Sequence, residues 1–172
     1  MLPLVTLLLV AVPMLIETRR SRTNERSLRA AGASEPRGDV YPVMQIVYPT
    51  IFVAMIVEGA LRHVTWSGMA AAGLLLFVFA KALKYAAIAT LGPRWTFRVL
   101  VPPGSVPTRR GIYRWLRHPN YIGVMAEIIA IALMMSALVA GLVSSVLFAT
   151  ILRRRIAIEE RALGETGDKV AG

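Results

Sequence analysis

YRWLRHPNYIG, residues 113–123, lies where a basic loop gives way to a long apolar run. Pro119 suits the first position of a helix, where its missing N–H removes no hydrogen bond, so His118 is the predicted N-cap. The free N–H groups of such a helix end attract anions, and the planar guanidinium of Arg117 suits a carboxylate in the same place. The stretch therefore predicts either an anion-binding helix end or a plain helix start with interfacial anchors.

Composition identifies the class of protein. The 172 residues are 56% hydrophobic and carry a formal net charge of +10, with a mean hydropathy of +0.58. These values agree only if apolar and basic residues are segregated along the chain, as in a polytopic membrane protein; no nucleic-acid partner is expected. The absence of cysteine excludes disulfides, zinc–thiolate sites and cysteine nucleophiles, and with only two histidines no metal site is expected.

The apolar runs predict the membrane spans. They lie at residues 1–16, 40–61 and 66–91, with two more between 119 and 152 that are interrupted near 136–141. The last two have about 17 residues each, close to the minimum for a hydrocarbon core of about 30 Å. Each span must be helical, because lipid cannot satisfy exposed backbone. The first run lacks a signal-peptide cleavage site, so we expect it to be a retained span, short or tilted.

The predicted fold is therefore an all-α, polytopic integral membrane protein with about five transmembrane helices, the last two forming a hairpin. We expect a single domain over residues 1–172. Its N-terminal part, 1–91, holds three spans, and its C-terminal part, 92–172, holds a loop, the hairpin and a tail. Most Lys and Arg residues fall in the loops 17–39 and 92–118 and in the tail, which predicts that these are cytoplasmic and that the N-terminus is outside. Most of these charges are expected to contact only membrane lipids.

Three ionisable residues inside the predicted spans have simple explanations. Lys81 and Lys84 lie one helical turn apart near the cytoplasmic end of the third span, so both are expected to extend toward lipid headgroups. Glu58 lies one turn from the outer end of the second span and is expected to reach water. The alternative for each is a partner inside the protein, as is usual for charge within a membrane.

Glu127 is harder to explain by its position. It lies two turns into the fourth span and shares a helical stripe with Asn120 and Gly123. A glycine on that stripe lets another group approach the backbone closely. We expect either a structural hydrogen bond to a neighbouring helix or a polar pocket at the mouth of the hairpin.

An acidic pair follows the hairpin in RRRIAIEERAL, residues 153–163. Arg155 and Glu159 have the spacing of an i,i+4 ion pair. Because the hairpin reverses the chain, Glu159 and Glu160 return to the level of Arg117 and His118. Basic and acidic groups that converge over a pocket suit a zwitterionic ligand with one carboxylate and one ammonium group.

GIYRWLRHPNYIG, followed after one hairpin by EERAL, resembles the isoprenylcysteine carboxyl methyltransferase family, which includes phospholipid N-methyltransferases and bacterial O-methyltransferases of alkylresorcinols and alkylpyrones. GPRWTFRVLVPPG and NERSLRAAGASEPRGDVYPVM look closest to that bacterial branch. The resemblance implies S-adenosyl-L-methionine as methyl donor at the cytoplasmic end of the hairpin, in a bacterial inner membrane. The cofactor-binding residues it implies are Arg117, His118, Pro119, Tyr121, Gly123, Glu159 and Glu160.

The resemblance also implies roles for these residues. Arg117 would take the cofactor's carboxylate, Glu159 or Glu160 its ammonium, and Tyr121 its adenine or sulfonium. The predicted catalytic residues are Arg117, His118 and Glu127, with His118 the first candidate for a base if the acceptor is a hydroxyl. One departure is that GETGDKVAG, residues 164–172, lacks a tyrosine found in many members of the family.

The expected reaction is methyl transfer to the carboxyl or hydroxyl oxygen of a lipophilic or prenylated acceptor that enters from the bilayer, with the loop 92–117 as a lid. Two alternatives remain: a membrane reductase of the sterol-reductase type using NADPH, and a non-catalytic lipid-binding protein. Binding of S-adenosylhomocysteine, of NADPH or of neither distinguishes the three.

The charge distribution predicts the sidedness of two loops. Cysteine introduced by Ser27→Cys or Ser105→Cys should react with a membrane-impermeant maleimide only from the cytoplasmic side, because both loops carry the arginines that remain inside. Labelling of intact cells and of inverted vesicles measures this. Labelling of either position in intact cells would contradict the predicted orientation.

Overall fold

The computed structural model describes the backbone of residues 1–171 and the side chains of residues 1–164. The described chain is helical, which confirms the all-α prediction. Its five α-helices are α1 (Leu2–Ala30), α2 (Tyr41–Leu61), α3 (Gly68–Leu91), α4 (Pro119–Met134) and α5 (Leu138–Ala171). Two short 3₁₀ turns, Gly92–Arg94 and Gly111–Arg114, interrupt the loop between α3 and α4. A single antiparallel bridge, Ser34 with Val101, joins that loop to the one between α1 and α2.

The helices fit an integral membrane protein that crosses the bilayer several times. Within the described residues, three segments are long and apolar enough to span it: Leu2–Ala30, Tyr41–Leu61 and Gly68–Arg94. The apolar helix α4 has 16 residues, and the apolar part of α5 ends before Arg153, so this pair is shorter. α4 and α5 are joined by a tight turn, as the predicted hairpin requires.

Helix α1 is longer than the predicted first span. The helix continues past the apolar run through the charged stretch to Ala30, because no proline or glycine occurs between Pro13 and Gly32. Ser21 also donates to the Glu25 carboxylate one turn later, at 2.7 Å. The charged half of α1 consequently lies beside the loop between α3 and α4 and helps to shape the site.

Glycine sets the spacing between α3 and α4. A Cβ atom on Gly73 would lie 2.7 Å from the Ala130 carbonyl oxygen and from the Met134 amide nitrogen. A Cβ atom on Gly123 would lie 3.1 Å from the Ala80 carbonyl oxygen. The helices therefore pack with their backbones close together, as small residues allow between membrane helices. The group that approaches Gly123 is thus helix α3.

Contrary to the prediction, Glu58 does not simply reach water. Its carboxylate accepts hydrogen bonds from the amides of Val139 at 3.3 Å and Ala140 at 2.7 Å, and it pairs with Arg62 at 3.1 Å. The first N–H groups of a helix lack partners within the helix and favour negative charge. Glu58 therefore caps α5 and ties the second span to the hairpin.

The close packing at Gly73 predicts a position-specific cost of adding one methyl group. Gly73→Ala should destabilise the protein by about 1–3 kcal/mol, because the methyl group meets backbone atoms of α4 that cannot move aside independently. Thermal unfolding in detergent, followed by tryptophan fluorescence, measures this. Gly68→Ala is the matched control, since nothing lies within 4 Å of its added Cβ atom. Equal melting temperatures for the two variants would contradict this packing.

Candidate active site

A cavity of about 340 Å³ lies at the end of the bundle that carries the loops 31–40 and 92–118, here called the loop end. Its volume is within the range of about 300–1,000 Å³ found for small-molecule sites. All five helices and residues 94–101 contribute to its lining. The polar and aromatic lining residues on which the chemistry depends are Arg22, Tyr48, Lys84, Arg94, Trp95, Tyr113, His118, Asn120, Tyr121, Arg155 and Glu159.

The loop after α3 is fastened along the charged half of α1. The side-chain amide of Asn24 donates to the carbonyl oxygens of Gly92 at 3.2 Å and Trp95 at 2.7 Å. The Phe97 amide donates to the Ser21 hydroxyl at 2.8 Å. Residues 94–101 consequently form an ordered wall of the cavity, supported by helix α1.

Arg155 joins this wall to the hairpin. Its side chain is 4% exposed and donates to the Asp39 carboxylate, to the Phe97 carbonyl oxygen and, at 3.3 Å, to the Tyr121 hydroxyl. The predicted pairing of Arg155 with Glu159 is wrong, since its carboxylate partner is Asp39. The guanidinium points into the bundle, where Asp39 can compensate its charge, rather than along the surface of α5.

Asp39 in turn organises the start of α2. Its carboxylate accepts from the amides of Tyr41 at 3.1 Å and Val99 at 3.0 Å, and its side chain is 4% exposed. A carboxylate with two N–H donors and a guanidinium is fully compensated, as a buried charge must be. Asp39 and Arg155 therefore hold α2, the loop wall and α5 in one arrangement.

The motif residues of the hairpin meet as predicted. Tyr121 donates a hydrogen bond from its hydroxyl to the Glu159 carboxylate, and the His118 Nε2 lies 3.1 Å from Glu160 Oε1. The His118 and Tyr121 rings stack with centroids 5.6 Å apart. His118, Tyr121 and Glu159 all line the cavity. The acidic pair thus returns to the start of α4, where it can face a ligand.

The other predicted cofactor residues lie outside the cavity lining. Arg117 is exposed, Pro119 is buried at the first turn of α4, and Gly123 packs against α3. Glu160 is about half exposed and contacts His118 from outside. Residues 165–172, which include Lys169 and most of the segment that departs from the family pattern, lie outside the residues whose side chains are described. Only part of the predicted set is therefore brought to the cavity.

Two arginines of the site, Arg94 and Arg22, were not predicted to bind a ligand. Arg94 lines the cavity and donates to the Thr108 hydroxyl at 2.7 Å, and Arg22 lines it from α1. Within residues 1–164 neither guanidinium has a carboxylate at ion-pair distance, whereas Arg98 pairs with Glu35 at 2.7 Å. Arg94 and Arg22 are therefore available to an anionic group. The sequence predicts only that these two arginines are charges in loops expected to be cytoplasmic.

Tyr113 supplies a neutral phenol to the same region. Burial, and then the nearby Glu159 carboxylate, raise the pKa of Tyr113 well above its usual range. The group stays protonated at neutral pH, so it can donate a hydrogen bond or stack on a ring but cannot act as a phenolate.

A buried cluster of four charges lies at the inner end of the cavity. Lys84 Nζ lies 2.7 Å from Glu17 Oε2 and 3.4 Å from Glu127 Oε1. Lys81 Nζ lies 3.0 Å from Glu17 Oε1 and 3.1 Å from Glu127 Oε1. The prediction that both lysines extend to lipid headgroups is wrong, because two carboxylates inside the bundle compensate their charge. One of the two environments expected for Glu127, a bond to a neighbouring helix, is therefore present. The Tyr48 hydroxyl also donates to Glu127 at 2.6 Å.

Comparison with known proteins gives a consistent family assignment. Residues 72–165 match the model of the isoprenylcysteine carboxyl methyltransferase family. The chain is 32% identical to the uncharacterized protein YpbQ of Bacillus subtilis, over 84% of this chain and 86% of the relative. It is 27% identical to an uncharacterized protein of Haemophilus influenzae over 81% of this chain and 82% of the relative.

The match to mammalian enzymes is partial. The chain is 31% identical to the protein-S-isoprenylcysteine O-methyltransferase of Mus musculus over 60% of this chain and 36% of that protein. No solved structure gives a significant match. The family match covers most of α3, the loop wall, α4 and most of α5, which include His118, Tyr121, Arg155 and Glu159. On this evidence the chain belongs to the isoprenylcysteine carboxyl methyltransferase family.

Proposed function

We propose that the protein is an S-adenosyl-L-methionine-dependent O-methyltransferase that methylates a carboxyl or hydroxyl oxygen of a lipophilic acceptor from the bilayer. The observation that carries this proposal is the meeting of His118, Tyr121 and Glu159 on one cavity at the loop end. Family membership and the name of the mouse relative support the reaction class. We place the loop end at the cytoplasmic side, where a water-soluble donor is available.

The side chains of the cavity fit the groups of this cofactor. Glu159 offers a carboxylate to the ammonium group, while Arg94 offers a guanidinium that lacks a carboxylate partner within residues 1–164. The start of α4 adds the positive end of the helix dipole, which favours an anion. Tyr113 and Tyr121 provide aromatic surface for the adenine or the sulfonium. When bound, S-adenosylmethionine supplies an electrophilic methyl group, and these residues contribute by binding and orienting it.

Arg117 has a secondary role in this proposal. Its side chain is exposed at the start of α4, next to the lining residue His118. A solvent-screened charge at this position attracts an anion only weakly. We therefore assign the main carboxylate contact to Arg94 and an electrostatic contribution at the mouth of the cavity to Arg117.

An apolar groove indicates how the acceptor enters. It lies along α4 and α5, has a volume of about 380 Å³ and is lined by Ile122, Met125, Ala126, Ile129, Leu152 and Ile156 together with His118 and Tyr121. His118, Tyr121 and Leu152 also line the cavity, so the groove ends where the motif residues begin. An alkyl or prenyl chain in this groove would place its polar head at the cavity. This supports lateral entry from the membrane.

The cofactor assignment predicts a graded loss of affinity for S-adenosylhomocysteine. Glu159→Ala and Arg94→Ala should each weaken binding about ten- to a hundredfold, since a charge-assisted contact contributes about 1.5–3 kcal/mol. Arg117→Ala should weaken it less than about tenfold, with a smaller effect at high salt, because its charge is screened. Isothermal titration of the protein in detergent measures this, with the exposed loop residue Arg109→Ala as the matched control.

Three outcomes would contradict the assignment. Binding of NADPH instead of S-adenosylhomocysteine would indicate a reductase, and binding of neither would indicate a non-catalytic lipid-binding protein. Wild-type affinity in both Glu159→Ala and Arg94→Ala would remove the proposed ligand contacts.

Lateral entry predicts a dependence on acceptor chain length. In vesicles, kcat/KM should rise with each added CH₂ until solubility intervenes, by at most about 0.8 kcal/mol per group, because the chain lies in the apolar groove. Ala126→Trp, which fills the groove, should lower kcat/KM for long-chain acceptors and leave S-adenosylhomocysteine affinity unchanged. Equal kcat/KM for short soluble and long lipophilic acceptors would contradict entry from the bilayer.

A further inference from the structure

The hydroxyl of Tyr48 can only accept a hydrogen bond from a ligand, because its proton is already donated within the protein. Tyr48 lines the inner part of the cavity, next to Phe148, with ring centroids 5.2 Å apart. Its single hydroxyl proton is donated to Glu127 Oε2 at 2.6 Å. A phenol has one donor and two acceptor lone pairs, so a molecule that reaches this oxygen from the cavity meets only its lone pairs. Tyr48 is therefore placed to accept a hydrogen bond from a ligand.

Glu127 lies behind Tyr48 and does not itself line the cavity. It is 2% exposed and faces Lys81 and Lys84 on α3 and Tyr48 on α2. Glu17 on α1 faces the same two lysines, so two carboxylates meet two ammonium groups. On the α5 side it is the aromatic ring of Phe148 that packs against Tyr48. Two carboxylates and two ammonium groups together leave the cluster without net charge, so each buried charge is compensated.

We propose that Tyr48 and Glu127 form a proton relay for the acceptor, and that the acceptor oxygen is therefore a hydroxyl rather than a carboxylate. This inference rests on the proposed methyltransferase function. A hydroxyl donates its proton to the Tyr48 oxygen, whereas an ionised carboxylate has no proton to give and meets the lone pairs of Tyr48. A general base must lie within hydrogen-bond reach of the acceptor's proton or one bridging group away, and Tyr48 supplies such a bridge to Glu127.

The relay balances atoms and charge. The acceptor oxygen forms a bond to the methyl carbon, and the carbon–sulfur bond breaks with its electron pair remaining on sulfur. The acceptor's proton passes to the Tyr48 oxygen while the Tyr48 proton passes to Glu127 Oε2. The positive charge lost at sulfur reappears as a proton on the buried cluster, so the net charge of the site does not change.

Tyr48→Phe tests the relay without removing a charge from the cluster. In vesicles, methylation of a long-chain alkylphenol should fall about 10²- to 10⁴-fold in kcat, the usual contribution of a positioned base. S-adenosylhomocysteine affinity should stay within twofold. Tyr85→Phe is the matched control, because Tyr85 is 40% exposed on α3 and lies outside the cavity lining. Glu127→Gln should show the same loss of kcat.

The pH dependence separates a relay from a structural role. Without the relay the phenol must ionise before it reacts, so kcat in Tyr48→Phe should rise about tenfold per pH unit below the phenol's pKa of about 10. The wild type should show no such rise. A second readout needs no turnover. A long-chain nitrophenol bound with S-adenosylhomocysteine should show more phenolate absorbance in the wild type than in Tyr48→Phe at the same pH.

Specific results would overturn the relay. Parallel pH profiles for Tyr48→Phe and wild type, or equal phenolate absorbance, would show that Tyr48 only fills space. Retained phenol methylation in Tyr48→Phe with a loss in His118→Gln would assign the proton to His118. Methylation of long-chain carboxylic acids but not of phenols by the wild type would refute the relay while the proposed function stands. Absence of S-adenosylhomocysteine binding would refute both.

Discussion

The loop end of the molecule depends on the buried guanidinium of Arg155. Its three hydrogen-bonding partners, Asp39, Phe97 and Tyr121, belong to three segments that are distant in sequence. Because an unpaired charge at this depth would cost several kcal/mol, the segments must stay together for the guanidinium to stay compensated. The position of the loop wall, the start of α2 and the orientation of Tyr121 all follow from this one constraint.

A second set of buried charges fixes the inner end of the cavity in the same way. Glu17, Lys81, Lys84 and Glu127 come from α1, α3 and α4, and each lysine contacts both carboxylates. Replacing one member would leave a charge without compensation inside the bundle. This costs more stability than replacing both members of a pair by apolar residues. The glycine contacts between α3 and α4 bring the backbones close enough for these side chains to meet. Packing and electrostatics therefore support the same helix arrangement, and the cavity lies between the two charged layers.

Local rules were sufficient to predict that the apolar runs are helical and that the last two form a hairpin, because apolar run length, Pro119 and the short interruption near residue 136 act within a few residues. The hairpin in turn brought the acidic pair to the start of α4, so the contact of Tyr121 with Glu159 was within reach of the sequence. The pairing of Arg155 with Asp39 could not be predicted, since spacing identifies a helical face but not which distant loop covers it. For the same reason the sequence did not predict the ion pairs of Lys81 and Lys84, whose carboxylate partners lie on other helices. Spacing also could not show that Arg117, although adjacent to His118, is exposed at the helix start.

Tyr121 belongs to both parts of the site. Tyr121 lines both the polar cavity and the apolar groove, while its hydroxyl donates to Glu159 and accepts from Arg155. A residue with a large apolar body and one polar tip suits such a boundary, because each part meets a matching environment. The hydroxyl is held by the network that Arg155 organises, so the boundary between cavity and groove is fixed by the same interaction that positions the loop wall. The polar cavity and the apolar groove are thereby built from one set of contacts rather than from two independent pockets.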